Sequence, residues 1–424
     1  MDKLISLVTI RLALVTLMLA ALTAPGATLA PGAPPEGNFR VEGTRIYDPQ
    51  GEPFLPVGGN MNGYRWGWVN ATLDERHLDA MQAWGFNTIR LNCYIKGYNR
   101  NQRFWEHGDF KGTYTLNNDM HAIIEAYTSR GIVVIIEAHD WTGTGIDVID
   151  EGLYNHEGRR LGDNSGETLE RPFTDFGGRA EYESQYDILV DFFSHFAEKY
   201  KDNPYVWFNP MNEPGTVVDN YRDTEGNKIR RVPDHWVETH GRFIEDMRAL
   251  GFENIIVVNG IATGQDHGRW WGDSDKLRPE SSAILSRGQD VLNFGGERQE
   301  NVAFSVHVYH QMGYDTPDGQ DDLLLQYVEA VQEQNLALMI GEAGWYGNRP
   351  DAPPAVAYRR IFENRLVPER NVGLLIWHLQ PGDGMALVEQ GTFSRIDDAQ
   401  NPTNLTWMGE PMWQLMRELR SREP

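Results

Sequence analysis

Eight short apolar runs recur along the chain, most of them followed by a stretch with helical periodicity, and this alternation constrains the fold more than any other feature. The runs are 54–57, 86–91, 132–137, 205–208, 254–258, 302–307, 336–340 and 372–377. Several are almost unbroken Val, Ile, Leu and Phe, the pattern of strands buried on both faces of a parallel sheet. Between them, Leu78, Met81 and Trp84 form a helical stripe that Gly85 stops, and Thr72 with Glu75 has capping-box spacing. Tyr186, Leu189, Val190, Phe193 and Tyr200 keep the 3.6-residue period of another helix. Asp234 and Asp322 precede two more, the first ending before Gly251, while the stretch after the fifth run has the weakest helical pattern. Eight such units predict a (β/α)₈ barrel, a TIM barrel with long insertions in its βα loops. A doubly wound open sheet is the alternative, disfavoured because no Gly-rich phosphate fingerprint follows the first run. The turn Asp48-Pro49-Gln50-Gly51 predicts a β-hairpin ahead of the barrel. Residues 38–424 contain no low-complexity linker, so a single domain is expected.

The first 30 residues read differently. Lys3 and Arg11 precede an apolar stretch, 12–22, and small residues follow at Ala24, Gly26, Ala27 and Ala30. That order is a secretory signal, too short in its apolar part for the ~20 residues of a membrane span. Residues 31–37 are a Pro-rich lead. The formal charge is −23, becoming −24 once Asp2, Lys3 and Arg11 are removed. Such acidity argues against nucleic acid and anionic membranes as partners, since both need Lys/Arg patches. The one cysteine, Cys93, excludes an intrachain disulfide and a Cys-based zinc site, and is expected to be a buried thiol.

In a (β/α)₈ barrel the chemistry sits at the C-terminal ends of the strands, so the residues that end each run are the ones to read. Arg90 lies near the end of the second run and His139 just past the third. Asn212 and Glu213 follow the fourth, His307 and Tyr309 end the sixth, Glu342 follows the seventh and Trp377 closes the eighth. Polar and aromatic groups therefore converge on one rim from six strands. Glu213 and Glu342 both follow strongly apolar runs, so their carboxyls should meet beside a desolvated floor. Burial and mutual repulsion then raise one and leave the other ionised, the division of labour that glycoside cleavage uses.

At these residues the chain resembles glycoside hydrolase family 5, in the larger clan of retaining barrel glycosidases. The matching pieces are Asn209-Pro210-Met211-Asn212-Glu213-Pro214, His307-Val308-Tyr309, Ile340-Gly341-Glu342, Arg90 and Trp377. The resemblance covers essentially all of 38–424. It implies that Glu213 is the acid/base and Glu342 the nucleophile. It further implies that Asn212 bonds the sugar 2-hydroxyl, that Arg90 and Tyr309 orient Glu342, that His139 and His307 line the cleavage subsite, and that Trp377 is its aromatic floor. The expected partner is a polysaccharide or oligosaccharide, acted on by a secreted monomer that uses no cofactor and no metal. A metal cluster of His139, His307 and His310 lacks a matched carboxylate motif. Asp315, Asp318, Asp321 and Asp322 lack EF-hand spacing. Trp270 and Trp271 suit either sugar stacking or packing, and Asn70 and Asn404 begin glycosylation acceptor triplets.

The substrate expected is β-1,4-mannan, with β-1,4-glucan second. His139-Asp140-Trp141-Thr142-Gly143 resembles the His-Asp-x-Thr-Gly segment of the family's bacterial mannanases. From there to about Tyr182 runs a long polar insertion on the expected catalytic rim, which bears on endo against exo action. A carbohydrate-binding barrel without catalysis is the other function class; the presence of both carboxylates and their supporting residues weighs against it.

Overall fold

The computed structural model describes residues 37–62, 75–93, 104–105, 114–115, 120–139, 185–214, 221–222, 228–229, 234–262, 264–266, 277, 279–309, 312, 322–345, 351–379, 385–389 and 393–422. The expected signal, the lead up to residue 36, Thr72, the insertion after His139, Trp270, Trp271, His310, Asn70 and the aspartates 315, 318 and 321 lie outside these residues.

Eight parallel strands close into a barrel. In chain order they are β1 (Val57–Asn62), β2 (Thr88–Cys93), β3 (Val133–Ala138), β4 (Val206–Asn209), β5 (Ile256–Asn259), β6 (Val302–Val308), β7 (Leu338–Ala343) and β8 (Gly373–Ile376). Each pairs with its neighbour in sequence, and β8 closes the ring on β1 through Leu374↔Val57, Leu375↔Gly58 and Ile376↔Gly59. Helices α1 (Glu75–Trp84), α2 (His121–Thr128), α3 (Gln185–Tyr200), α4 (Asp234–Ala249), α5 (Ala283–Leu292), α6 (Leu323–Glu333), α7 (Pro353–Glu363), α8 (Leu366–Arg370) and α9 (Gly409–Arg422) lie between and after the strands.

The local signals act as the chemistry requires. Leu78, Met81 and Trp84 are buried, and Gly85 ends α1 at φ 82°, a left-handed conformation that costs a glycine little. The Asp322 side chain accepts from the N–H groups of Leu324 and Leu325, capping α6. Two prolines open α7, where a missing N–H does no harm. Ser282 caps α5 by accepting from Leu285 N–H. That helix reads weakly in sequence because Gly288 sits in its middle, and there a Cβ would lie 2.9 Å from Leu336 Cδ1.

The first strand differs from the expectation. The run 54–57 is split: Pro53–Phe54 pairs with Arg45–Tyr47, and that with Arg40–Glu42, in a three-stranded antiparallel sheet, and only Val57 enters the barrel. The barrel strand β1 begins on that last residue of the run and continues through Gly58 and Gly59. Glycine is poor strand material in general, but here it is a steric requirement, because a Cβ on Gly58 would stand 1.9 Å from the Thr88 carbonyl oxygen. Phe39, just ahead of the small sheet, and Ile46 within it pack with Val133, Trp207, Ile255 and Ala337, sealing the N-terminal end of the barrel. The Phe39 ring meets those of Phe54 and Trp207 edge-on at 4.8 and 5.3 Å. Cys93 is a buried thiol, as expected. No helix among the described residues is long and apolar enough to cross a membrane.

Candidate active site

Period-2 alternation divides the barrel interior into two tiers. Toward the N-terminal end, inward positions carry Val133, Ile135, Trp207, Val257 and Met339. Toward the C-terminal end the same faces turn polar, with Asn60, Arg90, Asn92, Glu137, Asn209 and His307, all buried. Burying so much polarity is tolerable only if the groups satisfy one another.

Arg90, 1% exposed, is the junction. Its Nε donates to Asn209 Oδ1 (3.0 Å), one terminal nitrogen to Asn60 Oδ1 (2.9 Å) and Glu342 Oε1 (2.7 Å), and the other to Asn212 Oδ1 (2.6 Å). That second nitrogen also lies 3.6 Å from Glu137 Oε1. Asn60 is itself fixed, donating to the carbonyls of Gly341 and Ile376.

Glu342 reaches this junction through an irregularity in β7. Met339 faces the barrel interior and Ile340 the helices, so strict alternation would turn Glu342 outward. The register between β6 and β7 shifts after Val306↔Ile340, however, and His307 pairs with Glu342. The extra residue, Gly341, lets Glu342 face inward, a use of the β-bulge seen near many sites. A side chain at 341 would meet Ser305 Oγ at 2.3 Å. The second oxygen of Glu342 accepts from the Tyr309 hydroxyl at 2.9 Å. Burial, then the charges of Glu342 and Glu213, push that phenol well above its ordinary range, so Tyr309 remains a donor.

Glu213 follows β4, its side chain 15% exposed. His307 Nδ1 lies 2.9 Å from Glu213 Oε1 and 3.4 Å from Glu342 Oε2. Burial pushes His307 down to about 4, so it stands as a neutral imidazole between two carboxyl groups. Glu213, His307 and Glu342 each offer an atom within 4.8 Å of the other two. Such a trio could surround a cation, but its donor set fits one poorly: both oxygens of Glu342 already accept from Arg90 and Tyr309, and the guanidinium supplies the positive charge.

His139 stacks on Trp377, ring centroids 5.1 Å apart and 9° from parallel, which joins the ends of β3 and β8. The Trp377–His378 peptide is cis. His139 Nδ1 lies 3.2 Å from Glu137 Oε2, which also accepts from Asn92 Nδ2 at 2.5 Å. Burial alone would raise the Glu137 carboxyl; Arg90 and His139 outweigh it and hold the group below the usual carboxylate range.

All eight residues singled out from the sequence are thus described, and they lie at the strand ends on one rim. Asn60, Asn92 and Glu137 are not singled out by the sequence, and Asn209 enters it only as the first residue of the motif 209–214. Polar residues two apart inside or just beyond an apolar run, Arg90 with Asn92 and Glu137 with His139, were the available signal.

The model of the cellulase family, glycosyl hydrolase family 5, matches residues 47–383. A mannan endo-1,4-beta-mannosidase of Cellvibrio japonicus is 24% identical over 346 residues; the match covers 80% of this chain but 60% of that enzyme's length. The catalytic domain of a mannanase from Streptomyces sp. SirexAA-E superposes with a TM-score of 0.55 at 20% identity, covering 89% of each chain. The catalytic domain of a Thermobifida fusca endoglucanase gives the same TM-score at 17% identity, covering 90% of this chain and 98% of that one.

Proposed function

The chain belongs to glycosyl hydrolase family 5, and from that premise we propose that it is a retaining β-glycanase acting on β-1,4-mannan, with Glu342 as nucleophile and Glu213 as acid/base. The observation that carries the reading is the approach of these two carboxyl groups within 4.8 Å, at the ends of β7 and β4. Retaining glycosidases hold theirs ~5–5.5 Å apart, whereas inverting ones leave ~6.5–9.5 Å for a water.

The chemistry follows from the contacts. Glu342 Oε2, the oxygen nearer His307, attacks the anomeric carbon as the bond to the leaving oxygen breaks, and Glu213 gives that oxygen its proton. Water then enters, Glu213 takes back a proton, and the ester to Glu342 opens with net retention. Arg90 and Tyr309 hold Glu342 in its attacking orientation. Arg90 also fixes Asn212, which we assign to the sugar 2-hydroxyl, a bond that strengthens in the transition state. The stacked His139 and Trp377 rings form the subsite wall and floor. Glu342→Gln and Glu213→Gln should each lose almost all activity, and azide should restore Glu213→Ala on activated substrates. Inverted anomeric product, seen by NMR at early times, would overturn the mechanism.

Mannan is favoured over glucan by the segment beginning at His139-Asp140 and by the named activity of the Cellvibrio japonicus relative. The two carboxyl groups serve either sugar, and the fold matches a mannanase and an endoglucanase equally. Initial rates on ivory-nut mannan, glucomannan and carboxymethyl cellulose decide the matter. Mannan and glucomannan should give the higher kcat/KM, and preference for the cellulose derivative would reverse the assignment. Residues 1–30 we assign as a secretory signal of a monomeric exported enzyme. Sequencing the N-terminus of the exported protein tests this.

A further inference from the structure

Three acidic side chains converge on Arg90's surroundings, and the glycosidase chemistry uses only two of them. Glu137, fully buried, has one oxygen engaged by Asn92 and His139. Its other oxygen makes no hydrogen bond among the described residues and faces Arg90 at 3.6 Å, on the nitrogen that does not bind Glu342. Arg90 thus stands between two carboxylates. One of them, Glu342, loses its charge whenever a sugar is esterified to it. At that moment a buried guanidinium has to find its counter-charge elsewhere, and leaving a buried charge uncompensated is among the costliest arrangements in a protein.

We propose that Glu137 is a positioning residue that serves as the permanent counter-charge of Arg90, stabilising the glycosyl–Glu342 intermediate relative to the free enzyme. The proposal rests on the nucleophile assignment above. Without Glu137, Arg90 would pair with Glu342 alone. Forming the ester would break that pair with nothing to replace it, and opening the ester would restore it. Removing the charge of Glu137 therefore slows ester formation and speeds ester breakdown. Mere loosening of the site slows both.

The test uses an activated 2-deoxy-2-fluoro-mannoside, which accumulates the ester, on the full-length enzyme and its Glu137→Gln variant. Labelled peptides located by mass spectrometry identify the esterified residue. Inactivation and spontaneous reactivation rates measure formation and breakdown. In the variant, formation should slow about tenfold or more while breakdown accelerates, as expected for loss of a close charge in a buried site. Glu137→Asp, which keeps the charge but draws it back from Arg90, should fall between the variant and wild type. It also gives the answer if the glutamine variant fails to fold. Label on Glu342 with both rates reduced together, or unchanged, overturns the role of Glu137 alone. Label on a different residue of the wild-type enzyme overturns the nucleophile assignment and this inference with it.

Discussion

Four side chains accept hydrogen bonds from Arg90, so replacing it with lysine separates what charge contributes from what the planar fork contributes. A lysine ammonium keeps the charge but has three donors on a flexible stem, and cannot serve acceptors spread from β1 to β7. Arg90→Lys should lower stability by about 2–3 kcal/mol in denaturant titrations, the scale of buried groups left unpaired. It should also cost about a hundredfold in kcat through misplacement of Glu342. Retention of full kcat would show that charge alone is needed. The eight rim residues were legible because each ends or follows an apolar run, where a polar side chain is conspicuous. Their supports were not. Asn60 hides behind Gly58 and Gly59, while Asn92, just past the second run, and Glu137, ending the third, hold comparable positions but fall in none of the matching motif pieces. Nothing in the sequence marks Gly341 as the bulge that turns Glu342 inward, since strand register depends on a partner chain segment.

Among the elements, β1 is where sequence reading and structure part, and the cause is specific. A strand is recognised by side chains that pack, whereas β1 opens with two that are missing. Gly58 lets the backbones of β1 and β2 approach along the whole pairing from Gly58↔Thr88 to Asn62↔Asn92. The flanking run 54–57 looks more strand-like, but its first residue, Phe54, goes to the sheet that seals the opposite end and only its last, Val57, joins the barrel. Helix α1, by contrast, was readable down to its stop signal, because its stripe and Gly85 act locally. Gly58→Ala tests the packing argument. A Cβ against the Thr88 carbonyl cannot be relieved by a side-chain rotation, so the variant should lose about 3 kcal/mol or more. Activity should fall as well, because Asn60, two residues on, is displaced from Arg90. A melting temperature within about a degree of wild type would mean that the strands separate more readily than this packing implies.

For the whole molecule, buried titrating groups set how stability follows pH. Burial pushes His240 and His307 down to about 4 and Asp266 up to about 6. Unfolded histidine binds its proton near pH 6.5, so as pH falls from about 6.5 to 4 the unfolded state gains protons that the folded state refuses, and stability is lost. Asp266 works in the opposite sense, keeping a proton that the unfolded chain gives up between about pH 3.8 and 6. Two histidines outweigh one aspartate, so the denaturation midpoint should rise with pH across this window. His240→Gln should remove about 1.4 kcal/mol per pH unit from the slope; an unaltered slope would place the titration elsewhere. The barrel is closed by its first and last strands, and Asn60 of β1 is anchored to Ile376 of β8. A ribosome must therefore deliver nearly the whole barrel before its seam can form. Until β8 emerges, the nascent chain carries Arg90 and both carboxylates without the β1–β8 pairing and the Asn60–Ile376 bond that fix the seam beside them. The site is therefore expected to assemble only when the two ends of the sheet meet.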